Sequence, residues 1–353
     1  MILILLLSLF SAVQASALQA PLKIGDYILF GKYYDAPILW RVAELDEKGD
    51  PMLISDRIIA IRPYDAKGGI RQNSAWPPAI IHDRGQYGSN YWPDANIRQW
   101  LNSFEQKVEW VKSPPSKENT LLSNNPYDQE KGFIADGNFT GYERGLILVV
   151  EHKALLSAVD KSLKQGGTQI HAGSGNMDQV MQNYDDAYYQ LVKDGVFLPD
   201  VKEIYDLYLN ESTLGKDYYR AKPTREAIDH NTYKNSGLNV DQYWSYRLRT
   251  PSAGDGEKVG LVAADGKIDF DSGYGFDGTI GIRPALWLNY ASVQFTGNGS
   301  MTDPYAIKGS RQATEENNKV LLMSSGGILI VFLLISTRGS KFRRKRKKLG
   351  RFF

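Results

Sequence analysis

An uncharged apolar segment near the carboxyl end, followed by a run of basic residues, constrains this chain more than any other feature. Residues 320–337 contain no charged side chain, and a helix of that length reaches about 27 Å, close to the hydrocarbon thickness of a bilayer. Nine Lys and Arg follow within residues 338–353, and such a cluster directly behind an apolar span indicates the cytoplasmic side. We therefore predict a transmembrane helix over 320–337 and a cytoplasmic tail that attracts anionic lipid headgroups. The alternative for the basic run is a nuclear-localisation or nucleic-acid patch.

The amino end carries a second apolar segment, which is too short to span a bilayer. Residues 2–10 have the length of the hydrophobic region of a signal peptide, and Ala15-Ser16-Ala17 fits the cleavage pattern. We predict a signal peptide over 1–17, the alternative being a buried terminal strand or helix. The two ends together predict a single-pass type I protein of the plasma membrane, with residues 18–310 outside the cell and a polar stalk over 311–319.

The composition excludes several protein classes. Outside the basic tail the chain has 33 Lys and Arg against 40 Asp and Glu, a net charge of −7. This charge repels phosphates, which argues against a nucleic-acid partner for the folded part. There is no cysteine, so disulfide scaffolds, thiolate zinc sites, iron–sulfur clusters and cysteine nucleophiles are excluded. The lack of cysteine in an exported protein favours a Gram-positive bacterial source.

Hydrophobic periodicity predicts an α+β domain. The predicted helices are 94–113, 152–164, 178–193 and 200–209, and the predicted strands lie within a meander over 26–61, in 146–150 and in a hairpin over 258–270. Asp200 is the predicted N-cap of the last helix, and Ala264-Asp265-Gly266 is the predicted hairpin turn. Because no fixed-period repeat or internal linker is visible, these elements predict one compact domain.

Six apolar and aromatic blocks occur in a distinctive order along this domain. The blocks are Phe30-Gly-Lys-Tyr33, Pro37-Ile-Leu-Trp-Arg-Val42, Asn96-Ile-Arg-Gln-Trp-Leu-Asn102, Val196-Phe-Leu-Pro199, Tyr243-Trp-Ser-Tyr-Arg-Leu-Arg-Thr-Pro251 and Gly281-Ile-Arg-Pro-Ala-Leu-Trp-Leu288. Their order over residues 24–290 resembles the bacterial domains of unknown function numbered 6273. The resemblance implies a C-type-lectin-like fold of short twisted antiparallel strands and several helices, similar to the formylglycine-generating enzymes. The oxidation performed by those enzymes needs cysteine, and this chain has none. The resemblance therefore implies a binding function for this chain.

Aromatic and arginine residues in or near these blocks are the candidates for ligand contacts. The ligand-binding candidates are Tyr91, Trp92, Trp244, Arg247, Arg249, Tyr274 and Arg283. Exposed rings stack on sugar faces, and arginines clamp carboxylates. The alternative for Arg249 and Arg283 is a structural ion pair, with Asp56 or Asp269 as the partner. The alternative location of an aromatic ring is the hydrophobic core. This location is predicted for Trp40, Trp100 and Trp287, because their neighbours in the sequence are apolar.

Two acidic loops are the candidates for a metal site. Their side chains are Asp255, Glu257, Asp269, Asp271 and Asp277, and carboxylate oxygens are the ligands that calcium prefers. The spacing does not fit an EF-hand, and solvated turns are the alternative. Calcium is the one cofactor that the sequence suggests.

Catalytic motifs are scarce, which favours a binding protein over an enzyme. The four histidines show no H-E-x-x-H spacing, and no P-loop or G-x-S-x-G elbow is present. The sequence predicts a membrane-anchored cell-surface module that binds a carbohydrate, a cell-wall fragment or a protein. One alternative is an extracellular glycoside hydrolase with a carboxylate pair drawn from Asp136, Glu143, Glu203 and Asp269. The other alternative is a structural surface protein that makes only protein–protein contacts.

Overall fold

The computed structural model describes residues 21–68, 76–105, 108, 114–122, 126–171, 173–182, 184 and 187–308. The predicted signal peptide (1–17), stalk (311–319), transmembrane helix (320–337) and basic tail (338–353) lie outside these residues. Within the described ranges, no helix combines the length and the apolar character that crossing a membrane requires. Helices and strands are mixed along the described chain, which confirms the prediction of a mixed α and β architecture.

The described residues form fifteen strands. They are β1 Tyr27–Tyr33, β2 Ala36–Leu45, β3 Pro51–Ser55, β4 Ala60–Ile61, β5 Ile147–Leu148, β6 Val150–Leu155, β7 Tyr189–Asp194, β8 Val196–Phe197, β9 Tyr246–Pro251, β10 Val259–Val262, β11 Ile268–Asp269, β12 Gly281–Ile282, β13 Ala285–Leu288, β14 Phe295–Thr296 and β15 Tyr305–Ile307.

The larger sheet has eight strands in the order β14-β15-β1-β2-β3-β13-β5, with β8 also paired to β13. The predicted meander forms its centre, because β1, β2 and β3 pair antiparallel in sequence order. Tyr34 and Asp35 make the turn between β1 and β2 with φ values of 49° and 61°, and two positive φ values suit the right-handed twist of the flanking strands. The parallel pair of β1 and β15 brings the last described strand beside the first.

The second sheet has five strands in the order β11-β10-β9-β12-β4. Its central strand β9 is buried at every residue, so the charged side chains of Arg247 and Arg249 must find partners in the interior. The predicted hairpin is confirmed, since β10 and β11 pair antiparallel on either side of Asp265 and Gly266.

Seven short α-helices connect and cover the sheets in the described chain. They are α1 Pro78–Tyr87, α2 Asn96–Asn102, α3 Gly141–Leu146, α4 Met177–Gln182, α5 Val201–Leu209, α6 Glu211–Leu214 and α7 Arg225–Asp229. Short 3-10 helices lie at Trp92–Asp94, Lys117–Asn119, Ala158–Leu163 and Tyr290–Ser292. The prediction for α5 and its cap is confirmed: Asp200 accepts from the Glu203 backbone N–H at 2.8 Å, and Glu203 accepts from that of Asp200 at 2.9 Å.

Two predicted helices are wrong over part of their length: α4 occupies only the start of 178–193, and 152–164 contains a 3-10 helix over Ala158–Leu163. The segment predicted as helix 152–164 begins inside β6, and the segment predicted as 178–193 ends inside β7, because β6 and β7 pair antiparallel over six residues. The helix predicted over 94–113 is shorter, since α2 ends at Asn102. The Asn102 side-chain amide donates to the backbone oxygen of Val196 at 2.8 Å and accepts from Gly195 N–H at 2.8 Å, which fixes the end of the helix against β8.

Large aromatic side chains fill the core. Trp40 and Trp100 are fully buried, as predicted, whereas Trp287 is half-buried. The Trp40 indole N–H donates to the Phe30 backbone oxygen at 2.7 Å, so its polar edge is satisfied inside the sheet.

Candidate functional site

Three aromatic rings meet at the surface where four chain segments converge. Phe276 N–H donates to the backbone oxygen of Tyr87 at 2.9 Å, and Leu121 N–H donates to that of Phe276 at 2.8 Å. Lys67 N–H donates to the Asn119 oxygen at 2.9 Å. These bonds tie the carboxyl end of α1 to three loops. We call the rings of Tyr87, Tyr274 and Phe276 the aromatic patch.

The rings of the aromatic patch contact one another and remain accessible. Tyr87 and Tyr274 have ring centroids 5.0 Å apart at an interplanar angle of 35°. Phe276 meets Tyr87 edge-on at 5.9 Å and Tyr274 edge-on at 6.4 Å. Tyr87 is 39 % exposed, and the other two rings are half-buried. Because offset and edge contacts of this kind hold rings in fixed orientations, the patch is a preformed aromatic surface.

Two lysines and two leucines border the aromatic patch. The Lys258 ammonium lies 5.6 Å from the Tyr274 ring centroid, and the Lys67 ammonium lies 5.9 Å from that of Phe276. Lys258 also pairs with Asp255 at 3.4 Å. Leu121 and Leu122 are exposed beside the Phe276 backbone. The patch therefore combines apolar ring area with ammonium groups that can donate hydrogen bonds.

Glycine at position 88 allows the backbone to cross closely beneath the rings. Gly88 has φ +78°, and a Cβ added there would lie 2.3 Å from the Asp65 backbone oxygen and 2.9 Å from the Phe276 nitrogen. A side chain would therefore clash with backbone on both sides. The crossing needs glycine for conformation and for space, and it is what sets Tyr87 beside Phe276.

A buried ion pair fixes α1, which carries Tyr87. The Arg84 guanidinium donates to both Asp160 carboxylate oxygens, at 3.0 and 2.7 Å, and to the Gly256 backbone oxygen at 2.8 Å. It also donates to the Asn90 side chain at 3.0 Å and lies 4.1 Å from the Trp76 ring centroid. Both charges of the pair are buried, so the bidentate geometry is what compensates their desolvation.

The predicted site residue Arg247 lies directly beneath the aromatic patch. It is fully buried, and its guanidinium donates to the backbone oxygens of Gly273, Tyr274 and Asp277 at 2.8, 2.5 and 3.1 Å. Burial lowers its pKa to about 10. Arg247 therefore positions the loop that carries Tyr274 and is itself out of reach of a ligand.

Arg249 and Arg283 are structural as well. Arg249 is buried and pairs with both carboxylate oxygens of Glu203 and with Asp200. The expected ion pair is thus present at Arg249. Its partners are Asp200 and Glu203, which cap α5, instead of Asp56 or Asp269. Arg283 donates to the backbone oxygens of Ser55 at 2.9 Å and Tyr218 at 3.1 Å.

Of the four aromatic candidates, one is in the aromatic patch and one is wrongly expected at the surface. Tyr274 belongs to the patch. Trp92 is fully buried, and its indole N–H donates to Asp194 at 3.0 Å, so a surface role for this ring is wrong. Tyr91 is 9 % exposed and donates to the Gln190 side chain. Trp244 is half-buried, with its indole N–H bound to the Thr279 oxygen at 2.9 Å.

Local turn contacts engage the acidic candidates for a calcium site. Asp269 accepts from Asp271 N–H at 2.7 Å, and Asp277 accepts from Thr279 N–H at 2.8 Å. Asp255 accepts from Lys258 N–H at 3.2 Å, and Glu257 accepts from Gly256 N–H at 3.0 Å. In the part of the chain that the structure describes, no three His, Asp or Glu side chains gather as a metal site would require.

The four carboxylates considered for hydrolysis are each held in a different local contact. Asp136 pairs with Arg144 at 2.5 Å, and Glu143 caps α3 through Thr140. Asp269 caps the turn before Ser272, and Glu203 caps α5 beside Arg249. Asp136 and Glu143 thus both lie at α3, whereas Glu203 lies in α5 and Asp269 in β11.

A histidine–carboxylate pair, in which Asp194 is buried and His152 mostly so, predicts a pH dependence of stability. Asp194 accepts from His152 at 2.9 Å, from Arg98 at 2.7 Å and from Trp92. The other ring nitrogen, Nδ1, is buried and has no hydrogen-bond partner among the described residues. Burial lowers the pKa of His152, so the folded state favours neutral imidazole.

We therefore expect the contribution of His152 to be fully present above its unfolded pKa of about 6.5 and to be lost as the pH falls below that value. Urea unfolding of the wild type and of His152→Phe between pH 7.5 and 5 measures how the free energy of unfolding changes with pH. The wild type should lose more stability than the variant over that interval. Equal losses in the two proteins would contradict the assignment.

Of the aromatic patch, Tyr274 alone is among the seven predicted ligand-binding residues. Tyr87 ends a helix and Phe276 follows Gly273-Tyr-Gly. In this turn the aromatic residues alternate with glycines, which have no side chains to cover the rings. This alternation is the signal that could have identified Phe276.

Comparison with known proteins gives one match. The model of a family described as a domain of unknown function, DUF6273, matches residues 49–290. This match ends at residue 290, where the resemblance of the six sequence blocks also ends. It begins at residue 49, which follows the first two of those blocks. Neither the curated proteins nor the solved structures contain a match to this chain. Because the matched region covers more than half of the chain, the protein belongs to the DUF6273 family of domains of unknown function.

Proposed function

We propose that this protein is a glycan-binding module and that the aromatic patch is its recognition surface. The observation that carries the proposal is the mutual contact of three accessible rings, held at 5.0 to 6.4 Å from one another. Ring faces carry partial negative charge, and the C–H groups of a pyranose face are the complementary donors. The neighbouring lysine ammonium groups can donate to sugar hydroxyls or carboxylates.

We further propose that the module has a C-type-lectin-like fold and is exported and anchored by its ends. The order of the six blocks supports the fold, and the apolar segments 2–10 and 320–337 support the location. In this arrangement the aromatic patch faces the cell-wall side of the plasma membrane, where glycans are abundant.

A glycan and cell-wall fragment panel tests the recognition surface. We expect Tyr87→Ala and Tyr274→Ala each to weaken binding about 10-fold, since removing one ring from a shared stacking surface costs on the order of 1.4 kcal/mol. The matched control is Tyr142→Ala, because Tyr142 is 45 % exposed on α3 and lies outside the patch. The affinity of the wild-type protein for the glycan should be the same in the presence of calcium and in the presence of a chelator.

Two results would count against the proposal. Unchanged affinity in both patch variants, with the fold intact by circular dichroism, places the ligand elsewhere. Silence across the panel favours the structural role in which only protein partners are contacted.

A second candidate function has one observation in its favour. Glu44, Glu203 and Asp206 line a cavity of about 340 Å³ beside α5. Burial raises the pKa of Glu203, and a carboxyl group whose pKa is raised, with further carboxyl groups in the same cavity, is one feature of a glycoside hydrolase site. The bidentate pair with Arg249 opposes this role because it occupies both Glu203 oxygens. Release of reducing sugar that disappears in Glu203→Gln, but not in Glu47→Gln, would favour the hydrolase, because Glu47 is exposed in the turn after β2 and does not line this cavity.

A further inference from the structure

The aromatic patch continues into an exposed pair of leucines on the neighbouring loop. Leu121 and Leu122 are 38 % and 52 % exposed. The Leu121 N–H donates to the Phe276 backbone oxygen at 2.8 Å, and Leu121 forms a parallel bridge with Asp277. Exposed apolar side chains that adjoin one another mark interaction sites. A ligand that covers the rings and extends over this loop must therefore be apolar where it meets the leucines.

Leu122 has a backbone conformation that is unfavourable for leucine. Its φ of 58° lies in the left-handed region, where the Cβ of a bulky residue is crowded by the backbone. Burial does not account for leucine at this position, because Leu122 is the more exposed of the two leucines. Strained positions of this kind cluster at binding sites, which supports a ligand contact for the Leu122 side chain.

Lys67 adds a hydrogen-bond donor to the same area. Its backbone N–H donates to the Asn119 oxygen at 2.9 Å, two residues before Leu121, and its ammonium group lies 5.9 Å from the Phe276 ring centroid. Lys258 pairs with Asp255 at 3.4 Å, whereas the Lys67 ammonium group forms no ion pair within the described ranges. Lys67 can therefore donate to an oxygen of a ligand that lies on the rings.

The charges around the aromatic patch favour a neutral oxygen over a carboxylate as the acceptor. Asp255 and Glu257 directly precede Lys258, and Asp277 follows Phe276. Burial and the negative charge of Asp255 raise the pKa of Glu257, so these acids already repel one another. A further negative charge on the ligand would add to this repulsion.

We infer that the aromatic patch, together with Leu121, Leu122 and Lys67, binds an N-acetylated amino sugar, an inference that rests on the proposed glycan recognition. The pyranose face stacks on the rings, the acetamido methyl group contacts the leucines, and the Lys67 ammonium group donates to the acetamido oxygen. A hydroxyl in place of the acetamido group would lose its water against the leucines without gaining a partner there. The acetamido group combines a methyl group with a neutral acceptor, which is the combination that this surface complements.

Titration calorimetry of the full-length protein with two tetrasaccharides tests the inference. The tetramers of N-acetylglucosamine and of glucose, in the linkage of chitin and cellulose, present the same ring faces and differ in an acetamido group against a hydroxyl on each ring. We expect the N-acetylglucosamine tetramer to bind about 10-fold more tightly, the effect of one buried methyl group and one hydrogen bond.

Two variants locate this preference on the surface. Leu122→Gly suits the φ of 58°, so it should be no less stable than the wild type, and it should weaken the N-acetylglucosamine tetramer about 4-fold. Lys67→Met keeps the length of the side chain and should weaken the same ligand about 5-fold. Leu191→Ala is the control, because Leu191 is 46 % exposed on β7, outside the patch, and it should leave both affinities unchanged.

The outcomes separate this inference from the proposed function. Equal affinity for the two tetrasaccharides, weakened alike by Tyr274→Ala, would overturn the inference and leave glycan recognition by the aromatic patch standing. A preference for N-acetylglucosamine that persists in both Leu122→Gly and Lys67→Met would also overturn it. Binding of neither tetrasaccharide would overturn the inference alone, since the wider glycan panel tests the proposed function.

Discussion

Replacing Asp160 by asparagine is expected to lower the free energy of unfolding by about 3 to 5 kcal/mol, because it leaves the buried Arg84 charge without its counter-ion. Arg84 is 4 % exposed and Asp160 is 1 % exposed. The guanidinium cannot turn to water without opening the contact of α1 with Gly256 and Asn90. Urea unfolding followed by tryptophan fluorescence measures the loss.

The matched control for Asp160→Asn is Asp206→Asn. Asp206 pairs with Lys202 at 2.8 Å on the surface of α5, and both side chains are about half exposed. Exposed pairs of this kind contribute about 0.3 to 0.5 kcal/mol, so this variant should unfold almost as the wild type does. Equal small losses in the two variants would show that the Arg84 pair is not a structural requirement of the fold.

Replacing Gly88 by alanine is expected to destabilise the protein by about 2 to 5 kcal/mol, from backbone strain together with steric overlap. The position combines φ +78° with backbone atoms of Asp65 and Phe276 within 3 Å of the added Cβ. Relief of the overlap requires the Phe276 loop to move away from Tyr87. The variant should therefore also lose glycan binding at temperatures where it remains folded.

Gly85→Ala is the matched control for Gly88→Ala. Gly85 lies three residues earlier, inside α1, and an added Cβ there meets nothing within 4 Å. Alanine is favoured over glycine inside a helix by about 0.5 to 1 kcal/mol, so this variant should be slightly more stable than the wild type. A Gly88→Ala protein as stable as Gly85→Ala would contradict the close crossing beneath the aromatic patch.

Sequence patterns correctly predicted the strands and the helix whose ends are set by residues close by in the chain. The meander β1–β3, the hairpin β10–β11 and the capped helix α5 each carry their turn or cap residues within the element. The strands β6 and β7 were predicted as helices because their apolar residues fit a helical period. Their pairing joins Val150 to Asp194 across the chain, and periodicity within a window contains no information on such a partner.

The candidate site was harder to predict, because burial there is decided by distant partners. Trp92 follows Tyr91 in an aromatic pair that suggests a surface, but its indole donates to Asp194, about one hundred residues later. Arg247 and Arg283 were considered as ligand clamps, and the backbone oxygens that hold them come from other loops. Tyr274 was among the predicted ligand-binding aromatics, and the structure places it in the aromatic patch. Its partner Tyr87 becomes visible only when α1 is placed beside that turn.

The central claim is that glycan contacts fall on the aromatic patch, and tyrosine-ring NMR tests it most directly. The protein would carry ¹³C-labelled tyrosine rings, with the resonances of Tyr87 and Tyr274 assigned through Tyr87→Phe and Tyr274→Phe. A binding glycan from the panel would then be titrated. The account predicts that the signals of Tyr87 and Tyr274 shift in a saturable manner while that of Tyr142 stays in place. Saturable shifts at other tyrosines, with Tyr87 and Tyr274 unchanged, would contradict it.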